Sequence, residues 1–244
     1  MKKLHRGGSS PDGEPLSAGR VEYLEAARQR VRRRRLRRTA ILLAALILVT
    51  LFATGAVGAS IARVKDLVDT VHIALSPAVG WPQQTGLGDL TAVQPMSGSF
   101  AAMDEDACVV YSLGGTRLAG IQSGYARPAL AAGKTRFVLY NRSGNELRVE
   151  SRTQNLYSKT LENSIYLCAM SDTGTLAVAT DSADSTARLT VYTPTMSEQL
   201  HWDMTGTQGT PVRMAFAADS RRLAVAAVTS SAGQLQANLS LIHI

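Results

Sequence analysis

Residues 39–62 form a run of 24 without one charged side chain, bounded by Arg38 and Arg63. Its centre reads Ile41-Leu42-Leu43-Ala44-Ala45-Leu46-Ile47-Leu48-Val49. As a helix rising 1.5 Å per residue, such a run is about 36 Å long, more than a hydrocarbon core of about 30 Å requires. The run predicts a transmembrane helix over 39–62. A cleavable signal peptide is the rival reading, with Val57 and Ala59 small enough to precede a cut before Ser60. A signal h-region typically spans about 7–15 residues, however, within a whole signal of about 15–30. Here 38 residues precede the run, so an uncleaved anchor fits better.

Charge sets the orientation. Residues 1–38 hold 12 Lys and Arg against 4 Asp and Glu, whereas residues 63–244 hold 14 against 15. The chain is therefore near-neutral with a basic tail, and its net charge of +7 says little about the main domain. Arg32, Arg33, Arg34, Arg35, Arg37 and Arg38 crowd against the start of the apolar run. A juxtamembrane cluster of this kind retains the tail on the cytoplasmic side and attracts anionic lipid. A nucleic-acid arm is disfavoured, because no aromatic side chains interleave with the arginines for base stacking. The expected location is the cell membrane, single-pass, with the N-terminus cytoplasmic and the following domain extracytoplasmic.

Residues 1–38 thus read as a basic tail, its first 16 residues too rich in Gly, Ser and Pro for a packed core. Val64, Leu67, Val68 and Val71 recur at helical spacing, so the helix is expected to continue past the membrane. Pro77 and Pro82 end it. Residues 63–95 are accordingly a juxtamembrane helix and linker. Trp81 marks either the membrane interface or the first packing residue of the domain.

Beyond about Met96 the texture changes. Short β-branched or alternating runs appear at 107–112, 116–121, 136–140, 146–150, 165–170, 176–180, 188–192, 199–203, 212–217 and 223–228. Turn residues separate them: Gly114-Gly115, Ser143-Gly144-Asn145, Asp172-Thr173-Gly174 and Asp219-Ser220. The runs repeat. Ser171-Asp172-Thr173-Gly174-Thr175-Leu176-Ala177-Val178-Ala179 returns at an offset of 47 as Ala218-Asp219-Ser220-Arg221-Arg222-Leu223-Ala224-Val225-Ala226. Ala132-Gly133-Lys134-Thr135-Arg136-Phe137-Val138-Leu139 precedes the first of these by 39. Four strands per period of about 40–45 residues is the signature of a β-propeller.

The expected fold is mainly β: an incomplete propeller over 96–238, preceded by a long transmembrane helix. Its blades are partial at 100–123, complete at 128–161 and 165–205, and begun again from 211. Propellers close with about 4–8 blades. Phe137, Val138, Leu176, Val178, Leu223 and Val225 should be buried, with Asp172 and Asp219 at turns. Residues 239–244, Leu-Ser-Leu-Ile-His-Ile, coincide with a translation of CTG-TCT-CTT-ATA-CAC-ATC, the transposon mosaic end of common sequencing libraries. Genuine sequence is therefore expected to stop near Asn238.

Three segments carry a resemblance: Gly124-Tyr125-Ala126-Arg127-Pro128-Ala129-Leu130, Phe137-Val138-Leu139-Tyr140-Asn141-Arg142 and Leu147-Arg148-Val149-Glu150-Ser151-Arg152-Thr153. Together they resemble an uncharacterised family, known only as a domain of unknown function, of membrane-anchored, propeller-like proteins from Gram-positive anaerobic bacteria. The resemblance implies one N-terminal anchor and an extracytoplasmic propeller, and it supplies no catalytic residues.

The residues themselves add no chemistry. His201-Trp202-Asp203 could pair His201 with Asp203 across one turn of strand alternation, but an exposed outer strand explains it more simply. Asp104-Glu105-Asp106 lacks the ligand ladder and central Gly of a calcium loop. Cys108 and Cys168 stand far apart without a C-x-x-C or a neighbouring His, and read as small buried hydrophobes; a disulfide between them is permitted outside the cell. No phosphate loop, H-E-x-x-H or G-x-S-x-G occurs. No catalytic residue, metal ligand or cofactor is therefore assigned. The expected function is a non-enzymatic binding or scaffold module at the cell envelope. Its partners are the bilayer, through 39–62, and an envelope protein or wall polymer, with no nucleic acid. The alternative is an envelope hydrolase or sensor whose site lies in blades beyond those present.

Overall fold

A computed structural model describes residues 56–244 together with Leu42, Leu43 and Leu46. The arginine cluster at 32–38 and most of the apolar run at 39–62 lie outside the described residues. Among the described residues no helix is long and apolar enough to cross a membrane. Residues 58–244 form one compact unit.

Helix α1 (Ala56–Leu75) leads into this unit. It ends where Pro77 removes the next donor, and the Ser76 hydroxyl donates back to the His72 carbonyl at 2.8 Å. Fifteen strands follow. The first sheet holds β1 (Ala92–Met96), β2 (Ser99–Met103), β3 (Ala107–Ser112) and β4 (Arg117–Gln122). The second holds β5 (Pro128–Ala132), β6 (Arg136–Asn141), β7 (Glu146–Ser151) and β8 (Asn155–Thr160). The third holds β9 (Ile165–Met170), β10 (Leu176–Thr180), β11 (Ala187–Tyr192) and β12 (Glu198–Met204), and the fourth β13 (Thr210–Phe216), β14 (Arg222–Ser231) and β15 (Gln234–His243). Within each sheet the strands lie in chain order, and every pairing is antiparallel. The first strand of each sheet touches the first strand of the next, β1 to β5, β5 to β9 and β9 to β13. That arrangement is propeller-like: four blades fanned about their inner strands.

Three hydrophobic cores fill the three junctions, and strand alternation explains why. In β10, Leu176 and Val178 face blade 2, where they join Val138, Val149 and Tyr140. Ala177 and Ala179 point the other way, into a core with Met214, Leu223 and Val225 of blade 4. A period of two puts successive side chains on opposite faces, so one strand serves two junctions. Blades 1 and 2 meet through Met103, Cys108, Val110, Phe137 and Leu139. All six side chains expected in the core are buried, and Asp172 and Asp219 fall in the β9–β10 and β13–β14 turns.

Three expectations change. Blade 1 is not partial: β1 and β2 complete it from Ala92, inside the segment read as linker. Pro95 lies in β1, and a proline in a run argues against a strand; it is tolerated because β1 pairs along one edge only, with β2. Blade 2 gains an inner strand, Pro128–Ala132, whose small residues suit the crowded axis, and a polar outer strand, Asn155–Thr160. Blade 4 extends through a third strand, β15, which pairs with β14 from Ser231–Gln234 to Arg222–His243. Its turn, Ala232-Gly233, has φ of 50° and 78°, the left-handed pair of a tight hairpin. Residues 239–243 lie within β15.

Candidate functional site

The turns joining first to second and third to fourth strands gather at one end of the blades. Helix α1 lies on this end, and it docks through polar groups. Asp66, Asp69, Thr70 and Ile73 follow the i, i+3, i+4, i+7 spacing that places side chains on one helix face. Asp66 accepts from Arg136 Nε at 3.1 and 3.2 Å and from the Thr135 hydroxyl at 3.1 Å. Arg136 also donates to the Pro194 carbonyl of blade 3 at 2.8 Å. Arg152 donates to the Ser97 carbonyl of blade 1 at 2.8 Å, to the Asp66 carbonyl at 3.1 Å and to the Thr70 hydroxyl at 2.7 Å. The Thr153 hydroxyl reaches Asp69 at 2.8 Å.

Both arginines are buried, at 2% and 0% exposure. Burial pulls the Arg152 pKa below the ordinary guanidinium value, while the Asp69 and Asp66 charges oppose that fall. Among the described side chains of this helix, Ile73 is the buried apolar one, and it sits beside Gly98. Guanidinium groups suit this task because their forked donors bond several acceptors at once. Through them the helix is fastened to blades 1, 2 and 3 together.

The segment after α1 covers the outer face of blade 1. Trp81 packs on Phe100 and Tyr111, ring centroids 5.7 and 5.6 Å away, and its indole N–H donates to the Leu113 carbonyl at 3.0 Å. Trp81 is therefore a packing residue of the domain. Gly115, in the β3–β4 turn beneath the strap, has to be glycine: its φ is +86°, and a Cβ there would collide with the Gly80 carbonyl of the strap. The strap is pinned at its far end by Asp104, whose carboxylate accepts from the backbone N–H of Gly88, Ala107 and Asp106 at 2.7, 2.7 and 2.9 Å. Those donors, led by Gly88, hold the Asp104 carboxyl below its ordinary pKa. The acidic tripeptide is thus a turn lock.

The opposite end of the blades carries the remaining loops, with Glu105, Arg127, Glu162, Asp184 and Thr207 exposed. Beside it, a cleft of about 380 Å³ opens between the outer strand of blade 2 and the broad face of blade 3. Lys159, Glu162, Asn163, Arg188, Tyr192 and His201 line it. Lys159 Nζ sits 4.4 Å from the centre of the Tyr192 ring, a cation–π distance. Burial raises the Tyr192 phenol above its usual pKa, the Glu198 charge adding to the rise. Charges of both signs beside the buried Tyr192 ring make this wall suited to a polar ligand surface.

His201 and Asp203 do not pair. His201 Nδ1 lies 2.9 Å from Glu198, and Asp203 accepts two bonds from Arg188, at 2.6 and 3.1 Å. Both sit on β12, the outer strand of blade 3, and no nucleophile completes a relay. Cys108 and Cys168 are free and buried in separate junctions. Burial, with the Glu150 and Asp104 charges adding to it, pushes the Cys108 thiol up to about 12; burial alone raises Cys168 well above the ordinary value. Among the described residues no three His, Cys, Asp or Glu side chains stand together as metal ligands. The sequence did not single out Arg136, Arg152 or Asp66. The pairing of Asp66 with Asp69 and Thr70 at helical spacing was the available signal, but nothing local says that this face meets a sheet end.

A family model described as a family of unknown function, DUF5711, matches residues 79–243. No curated protein matches the chain. Among solved structures, Hsv2p of Kluyveromyces lactis is similar with 14% identity and a TM-score of 0.46, covering 64% of this chain and 50% of its own. BamB of Moraxella catarrhalis is similar with 8% identity and a TM-score of 0.46, covering 62% and 42%. A complex of KlAtg21 with the coiled coil of AgAtg16 contributes a third, with 13% identity, a TM-score of 0.46, and coverage of 59% and 50%. The chain spans half or less of the length of each.

Proposed function

The chain belongs to the DUF5711 family of unknown function, and we propose that it is a membrane-anchored, extracytoplasmic propeller that binds or scaffolds other components of the cell envelope. In this reading residues 39–62 cross the bilayer, the arginines at 32–38 hold the tail inside, and the four blades belong to a propeller with further blades. Val212 and Leu235, both before Asn238, leave blade 4 with exposed apolar side chains, which supports that last point.

One observation carries the binding reading: α1 occupies one end of the blades through Asp66, Arg136 and Arg152, while the loop end and its flanking cleft stand open. A propeller held by one end presents its other end to a partner in a fixed orientation. The partner class is an envelope protein or a wall polymer, met by mixed-sign polar loops.

Topology is tested by protease treatment of intact protoplasts. The expected result is digestion of the propeller with survival of the basic tail. Digestion of the tail with survival of the propeller would reverse the orientation and end the proposal.

A further inference from the structure

Helix α1 is amphipathic the opposite way round from a helix that packs by its apolar side. Its polar residues Asp66, Asp69 and Thr70 face the blades together with Ile73, and the other apolar residues among its described side chains face away. Val64, Leu67, Val68, Val71 and Leu75 are 59, 62, 61, 50 and 79% exposed. A contiguous exposed stripe of this kind needs an occupant.

We propose that the stripe is the seam of a parallel pairing with a second copy of this chain. Val64, Val68, Val71 and Leu75 are spaced 4, 3 and 4 apart, the rhythm of a coiled-coil seam. Charges return in 63–75 at Arg63, Lys65, Asp66 and Asp69, and none falls on a seam position. In the sequence the same rhythm continues upstream through Ile61, Val57, Thr54, Thr50, Ile47 and Leu43. The polar face is already satisfied by Arg136, Arg152 and Thr153, so pairing would not compete with the dock.

An interfacial lipid helix is the weaker fit. Such helices carry Lys and Arg on the polar face, whereas the docked face here carries Asp66 and Asp69 bonded to the propeller, with Lys65 beside it. Three turns alone are too short to associate strongly. The parallel sense and the local concentration rest on the membrane-anchor reading, which would hold two copies side by side with the same end up.

The test uses the full chain in membranes, with single cysteines placed at Val64, Lys65, Val68, Val71, His72 and Leu75 in turn, and at Lys159 as a distant control. Cys108 and Cys168 are buried and stay silent. Oxidation should give a disulfide-linked species of twice 26.0 kDa at positions 64, 68, 71 and 75, and less at 65 and 72, with none at 159. Adding Val68→Asp to the Val71→Cys chain should abolish that species. Cross-linking no greater than at Lys159 for all four seam positions would overturn the pairing and leave the stripe to lipid or to a different protein. Sedimentation is read on the same samples. A chain found off the membrane contradicts the anchor, and its cross-linking pattern still decides the pairing.

Discussion

Asp66 grips the buried Arg136 guanidinium at 3.1 Å across 70 positions of sequence, and so ties the helix that precedes the domain to its second blade. Removing one partner of a buried ion pair leaves the other charge unmatched, at a cost of about 3–5 kcal/mol. Asp66→Ala is expected to lower stability by about 3 kcal/mol, since Arg136 keeps its bond to the Pro194 carbonyl. Denaturant unfolding followed by Trp81 and Trp202 fluorescence measures it. A loss under about 0.5 kcal/mol, the size of an ordinary surface change, would show that the dock is incidental.

The strap over blade 1 depends on one aromatic. Trp81→Ala removes the contacts to Phe100 and Tyr111 and the bond to the Leu113 carbonyl. Trp81 is half exposed, so the expected loss is about 1–2 kcal/mol rather than the 3–5 typical of a core aromatic. Limited proteolysis should then cut first within 77–91. Unchanged protection there would contradict the strap.

The strap should also respond to acid. The folded pKa of Asp104 is lowered from 3.8, so its contribution is complete above that value and disappears as pH falls through the lower, folded pKa. The protection factors of the Gly88 and Ala107 amides, their exchange rates corrected for the intrinsic rate at each pH, should therefore fall below about pH 3.8 and stay flat between about pH 5 and 8. Asp104→Ala should exchange quickly at every pH. A change centred near neutrality would point to some other group.

Gly133 sets the distance between blades 2 and 3. A Cβ at this position would collide with the Ser171 carbonyl, backbone of the β9–β10 turn that no side-chain rotation can clear. Gly133→Ala is expected to cost about 1–3 kcal/mol, as overpacking does, and thermal unfolding would report it. Gly86→Ala is a poor control because its φ is +71°; Ser182→Ala, on an exposed loop, is a better one.

How far the sequence foretold this molecule depends on where the information lies. Leu176-Ala177-Val178-Ala179 announces a strand and a repeat because one period-2 pattern encodes both faces, and its burial followed. Pro128-Ala-Leu-Ala-Ala does not, because an inner strand is chosen for smallness at the axis and small residues carry little periodicity. Asn155–Thr160 places only Leu156 and Tyr157 against the core and is otherwise polar, as an outer edge can be. The dock was invisible for a different reason. Asp66 and Arg152 lie 86 positions apart, and only the fold of two intervening blades makes them neighbours. His201 and Asp203 looked like partners in one strand, and each instead found a different partner, Glu198 and Arg188.

The most direct test of the binding account compares the two ends of the propeller. The complete outer domain, immobilised, is offered isolated wall polymer and solubilised envelope proteins, with saturable capture as the readout. The account predicts capture without chemical change of the polymer, lost when Arg127, Glu162 and Asp184 on the loop end are replaced together by alanine, and kept when the exposed Lys134 at the docked end is replaced. Turnover of the wall polymer, or capture indifferent to the loop-end substitutions, would contradict it.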